Sequence, residues 1–132
     1  MTASDYAEAA LADHILGKTA YTMPTAYVAL CTAGPSDTDT GSTITEADYT
    51  SYARVSTAGS DWNAYASGES DNANAITFPK CTGGTNTITH FAIVDASSAG
   101  NLLLYGALDS SLAVSNNITP EFAAGTLTVT AD

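Results

Sequence analysis

Two histidines, His14 and His90, are the side chains of this 132-residue chain whose ordinary pKa lies near neutrality. Either one, oriented by Asp13 or Asp95 and set beside one of the many serines, would have the parts of a Ser-His-Asp nucleophile. No G-x-S-x-G elbow presents such a serine. His90 sits in an alternating apolar segment, where an inward, hydrogen-bonded role is expected. The only other basic side chains are Lys18, Arg54 and Lys80. Acid–base and nucleophilic chemistry needs several convergent titratable groups. Here the bases are few and scattered, so no catalytic residue is assigned and a non-enzymatic protein is expected.

Other sites fare no better. Asp37, Asp39, Gly41 and Asp48 have the oxygen-rich character of a calcium loop, but a loop begun at Asp37 needs its glycine at Ser42. No helices are expected to flank it, and a solvated acidic loop is the reading adopted. Cys31 and Cys81 lie far apart, each in or beside an apolar segment that suits a small buried hydrophobe; a disulfide between them is geometrically open. There is no C-x-x-C pair for zinc. Gly83-Gly84 lacks the following Lys and helix of a phosphate cradle, and Asn117-Ile118-Thr119 matches a glycosylation acceptor without a secretory signal. No metal and no cofactor are expected.

Contact chemistry is better represented. Tyrosine offers a large surface at low entropic cost and is common at interfaces; the chain has seven. Tyr21, Tyr27, Tyr49, Tyr52 and Tyr65 fall in the N-terminal half. With Trp62, Leu11 and Ile15 they form the candidate interface set. Trp62 and Tyr65 share a polar loop and would also stack on a sugar. Charged residues are 13% of the chain, well below the roughly 25% of ordinary soluble domains. A surface with few charges loses little when covered. The net charge of −11 argues against nucleic acid and anionic membranes.

These residues need elements to hold them. Ser4 to Leu16 reads as a helix, with Ser4 as N-cap, Asp5 and Glu8 near its positive end, and Gly17 closing it in the left-handed conformation. Its stripe, Ala7, Leu11 and Ile15, is thin and requires a neighbour. Beyond Gly17 the period changes to strands. Thr25 to Thr32 is continuously apolar, as a strand covered on both faces would be. Gly34 to Ser42 is a loop. Tyr52 to Thr57 and Ala75 to Phe78 read as short strands. Thr87 to Asp95 is the strongest strand, with Ile88, His90, Ala92 and Val94 on one face and Thr89, Phe91 and Ile93 on the other. Ala96 to Asn101 turns into Leu102 to Leu108. Leu112 to Thr119 and Gly125 to Thr130 complete the set. The expectation is one mainly β domain over 1–132, an antiparallel sandwich or barrel-like fold over about 20–131, with one short N-terminal helix over about 4–17. Met1 to Asp13 lacks the basic and apolar runs of a signal peptide, and no run approaches a membrane span. Folding in a cytoplasm is expected.

Taken in order, the motifs resemble a family of small tailed-bacteriophage virion proteins, often labelled tail fibre proteins. Leu11-Ala12-Asp13-His14-Ile15-Leu16 matches its opening helix, and Thr19 to Pro24 its Thr-Ala-Tyr-Thr-x-Pro segment. Tyr27 to Thr32 matches a Tyr-x-Ala-Leu-x-Thr strand, and Pro35 to Asp37 a Pro-Ser-Asp loop. Tyr52-Ala53-Arg54, Thr89-His90-Phe91 with Asp95, and Gly100 to Leu103 with Gly106 to Leu108 complete the order. Cys31 replaces a usual aromatic, and Thr43 to Ser51 and Ser60 to Asn74 carry no recognised motif of the family.

The resemblance implies a β-rich virion component, assembled in the host cytoplasm. A small, weakly charged β domain without a shaft suits a capsid decoration, or cement, protein that bridges capsomers of the major capsid protein. A tail fibre or adaptor subunit bound to tail proteins is the alternative, and a host-surface glycan-binding module the third. Self-association as a trimer or dimer is expected, with neither nucleic acid nor membrane as partner.

Overall fold

Ser4 starts the helix as its chemistry requires. In a computed structural model describing residues 1–130, its Oγ accepts the Ala7 N–H at 3.2 Å. Residues 131 and 132, where the expected domain ends, lie outside that range. Helix α1 spans Asp5–Ile15. It closes with Gly17 at φ +73° and the Lys18 N–H donating to the Asp13 carbonyl at 2.9 Å. The Gly17 N–H donates to the His14 carbonyl, which completes the paired closure that glycine allows at this position.

Among the described residues, the remaining elements are a single 3-10 turn at Gly59–Asp61 and nine strands: β1 (Thr2–Ala3), β2 (Ala26–Cys31), β3 (Val55–Thr57), β4 (Ser70–Asp71), β5 (Ile76–Thr77), β6 (Asn86–Val94), β7 (Leu102–Val114), β8 (Glu121–Phe122) and β9 (Thr128–Val129). All pairings are antiparallel. The main sheet has the order β1-β7-β6-β2-β3, and two short ribbons, β4-β9 and β5-β8, stand apart from it. The fold is therefore mainly β with one helix near the N-terminus.

Strand β2 is buried from Val28 to Cys31, as a continuous apolar run demands when both sheet faces are covered. On one face Val28, Leu30, Ile88, Phe91 and Ile93 pack with Ile76, Phe78 and Leu127 from the ribbon side of the molecule. On the other, Ala29, Cys31, Ala92, Val94 and Leu102 pack with Ile44 under the loops. The ribbons thus act as the second layer over the larger core.

Three expectations change. First, Ile88 lies with Phe91 and Ile93, not with His90, Ala92 and Val94. The register breaks between Ile88 and His90, where Leu108 to Ser111 of β7 stand opposite Thr89 alone, and the regular alternation of faces is interrupted at that point. Second, Leu112 does not begin a new strand. It pairs with Ile88 as part of β7, and Leu108 to Ser111 loop out between Ala107 and Leu112. The chain then turns, with Asn117 at φ +73°. Third, the strands expected at Tyr52, Ala75 and Gly125 shrink to β3, β5 and β9. Turn, loop and side-chain hydrogen bonds hold the flanking residues, among them Tyr52 N–H to the Tyr49 carbonyl, Phe78 N–H to the Pro120 carbonyl and Leu127 N–H to Asn72 Oδ1.

Candidate functional site

The most elaborate polar cluster surrounds Arg54, just before β3. Its side chain is nearly buried. The guanidinium donates to both Glu46 carboxylate oxygens, at 2.5 Å from Nη2 to Oε1 and at 3.1 and 3.2 Å from Nε. It also donates to the carbonyls of Ala96, Ala99 and Gly41 at 2.7–2.9 Å. The Tyr52 hydroxyl donates to Glu46 Oε2 at 2.7 Å and accepts the Leu30 N–H at 3.1 Å. Burial, then the Glu46 acceptor, push the Tyr52 phenol far above its usual range. One ion pair therefore ties loop 41–46, the approach to β3 and the β6–β7 turn to β2. A fixed fork of donors suits this work. Gly41 is required there, since a Cβ would stand 1.9 Å from the Ala99 carbonyl oxygen.

A second cluster centres on Asn72, which is fully buried. Its Nδ2 donates to the carbonyls of Asn74, Phe122 and Ala123, and its Oδ1 accepts the Leu127 N–H at 2.9 Å. It fastens the 58–74 loop to the C-terminal segment.

The chemistry-bearing residues are occupied in similar ways. His14 Nδ1 accepts the Tyr21 N–H at 3.0 Å, and His90 Nδ1 meets Thr89 Oγ1 at 2.8 Å. Asp39 accepts from Ser36 and Thr43, which hold its carboxyl below the usual carboxylate range. Asp37 accepts the Tyr105 hydroxyl, whose pKa is pushed up to about 12, mainly by that bond. Among the described residues, no group of three His, Cys, Asp or Glu side chains is arranged to hold a metal. Cys31 and Cys81 are both free and buried. Burial pushes the Cys31 thiol up to about 12.

The candidate interface residues separate into two groups. Tyr49 is buried, donates to the Pro79 carbonyl at 2.7 Å and stacks edge-on against Tyr52 at 5.4 Å. Tyr27 is half-buried on β2, against the smaller core cluster. Trp62 is half-buried against the larger one and donates to Thr57 Oγ1 at 3.0 Å. Tyr65 lies on an exposed hairpin, its hydroxyl donating to Gly68. Trp62 is thus turned to the core while Tyr65 faces outward.

Leu11 and Ile15 belong to something different. Every residue from Leu11 to Ala20 is exposed. Leu11 is 48% accessible, Ile15 79%, Leu16 73% and, a little further on, Met23 90%. Tyr6 adds a fifth exposed apolar side chain to the same helix–loop segment. Beneath it a shallow groove of about 450 Å³ is lined by Tyr6, Ala10, Asp13, Tyr21, Met23 and Asp95. Tyr21 is half-buried there, and burial, then Tyr6 and Asp95, raise its pKa. Only Ala7 of the helix is buried. The helix is anchored at its first turn, where Ser4 donates its N–H to the Leu103 carbonyl at 3.0 Å and its Oγ–H to the Leu102 carbonyl. Sequence reasoning assigned no interface role to Tyr6, Leu16 or Met23. The available signal was the lack of any second apolar helix to cover the stripe.

No curated protein matches the chain. A family model described as podophage GP4 fiber I protein gp80 matches residues 2–130. The order of short motifs along the chain and the nearly complete extent of this match agree, and this chain belongs to the podophage GP4 fiber I protein gp80 family.

Proposed function

We propose that this protein is a non-catalytic structural subunit of a phage fibre, attached to the tail and using no cofactor. The observation that carries the reading is the fibre-family match over residues 2–130. The side chains support it: His14, Arg54 and Asp39 bond to neighbours in ways that hold loops and turns, and His90 is paired with Thr89 beside it on β6. The subunit repeats as a trimer or dimer on the virion, without nucleic acid or membrane contact.

A capsid decoration role is the second reading. It is favoured by the short elements: among the described residues the longest helix has 11 residues and the longest strand 13. Immunogold labelling of intact particles tests the two. Label at the tail supports the fibre subunit, and label spread over the head moves the protein to the capsid surface. Absence from purified particles refutes both.

A further inference from the structure

Among the described residues, seven large apolar side chains are exposed, and Tyr6, Leu11, Ile15, Leu16 and Met23 all belong to α1 and the loop after it. The clustering matters more than any one of them, since single exposed apolar residues are ordinary. From Leu11 onward every residue of the helix is exposed, although Asp13 lines the groove toward Tyr21 and Asp95 and His14 accepts the Tyr21 N–H. A helix of 11 residues is also below the roughly 12–15 at which isolated helices become even marginal in water. It is held here by its cap and first turn, and beyond them Leu11 and Ile15 remain 48% and 79% accessible.

Resting on the reading of the chain as a virion subunit, we infer that α1 is a plug: it inserts into an apolar groove of a different virion protein whose rim carries Lys or Arg. Three observations select that occupant. The first is geometry. A helix about 16 Å long and about 10 Å wide offers a one-sided footprint on the order of 160 Å². That falls well short of the roughly 800 Å² per partner of a stable pair, even with the loop added. A groove that grips both flanks uses the all-round exposure, which a flat contact would waste. The second is periodicity. Leu11 and Ile15 are one i, i+4 pair, far too short a seam for copies of α1 to bundle together. The third is charge. Asp5, Glu8 and Asp13 lie along the helix, and Asp95 lines the groove beside it. A second copy would bring another −11 chain to this surface, whereas a basic rim complements it. The same acidic flank disfavours a lipid surface, which selects helices with Lys and Arg on the polar face.

The test is re-binding of the purified, fluorescently labelled protein to particles of its own phage made without this gene product. Wild type is expected to bind saturably and to weaken as salt rises. The double variant Ile15→Asp/Leu16→Asp is expected to bind at least about tenfold more weakly. Charge reversal at Glu8→Lys/Asp13→Lys should weaken binding by a smaller factor. Ile118→Asp, on an exposed turn of the body, should bind as wild type. Circular dichroism and the urea midpoint confirm that each variant keeps its fold. Undiminished binding of the folded Ile15→Asp/Leu16→Asp variant overturns the plug while leaving the virion reading intact. So does self-association of the wild type that this variant abolishes, since the occupant would then be a second copy. Binding of the wild type to anionic phospholipid vesicles, lost in the same variant, overturns it in favour of lipid. If the particles are complete and take up no wild-type protein, the virion reading itself fails.

Discussion

The loops of the β body and the α1 arm differ in what holds them. Around Arg54 and Asn72, side chains reach backbone groups far away in sequence, and the polar atoms that burial strips of water are paired. Beyond its first turn, the helix is tied to the loop that follows it by the hydrogen bond between Tyr21 and His14, and it shares a shallow groove with Asp95 of the body. Its apolar side chains remain in water. Burial in the body is complete within one chain, and in the arm it is unfinished. The difference assigns stability to one region and, on the plug proposal, recognition to the other.

The largest effect should come from breaking the body at its most connected point. Arg54→Ala leaves the Glu46 carboxylate with the Tyr52 hydroxyl but no cation, and takes the Arg54 donor from three carbonyls. Removing one partner of a buried pair costs about 3–5 kcal/mol. Urea unfolding should show a loss of that order.

Asn72→Ala should be next. It strands the Leu127 N–H and three carbonyls, at about 1–3 kcal/mol for a buried polar group left unpaired. Proteolysis should then cut first within 58–74 or 120–129, while the β2–β6–β7 sheet persists.

A smaller effect follows from the phenols. Tyr52 and Tyr105 have folded pKa values raised above the ordinary value of 10 by burial and by donation to Glu46 and Asp37. Their contribution is fully present below pH 10 and is lost as pH rises through the folded values. Stability should therefore fall above pH 10, with Tyr105 ionising near pH 12 in an ultraviolet titration. Tyr52→Phe should remove part of the slope. Retained slope in a Tyr52→Phe/Tyr105→Phe variant would show that other groups carry it.

The smallest effect sharpens the comparison from the other side. Leu11→Asp and Ile15→Asp should change stability by no more than about 0.5 kcal/mol, as exposed substitutions do. A loss of several kcal/mol would mean that the arm is part of the core after all.

The helix was legible because capping is local: Ser4 and Gly17 act on groups within a turn of themselves. The β6–β7 hairpin was legible because adjacent strands share a short turn. The interruption after Ile88 was not, since a register break depends on how two strands match and not on either alone. The Arg54 cluster was hidden for a related reason. Its partners Gly41, Glu46, Ala96 and Ala99 meet only when three loops converge. The thin stripe of Leu11 and Ile15 announced a need for cover, but periodicity cannot say whether the cover comes from the same chain. The tyrosines show the same limit. Composition does not distinguish Tyr49, which is buried, from Tyr65, which is exposed.

Cryo-electron microscopy of the intact virion, at a resolution that separates side chains, tests most directly whether the body is complete and the arm is not. The account predicts this fold in the particle, with Leu11, Ile15 and Leu16 enclosed by a different protein and Arg54 bonded within its own chain. Density showing α1 bare in solvent while a face of the β body makes the contacts would contradict it.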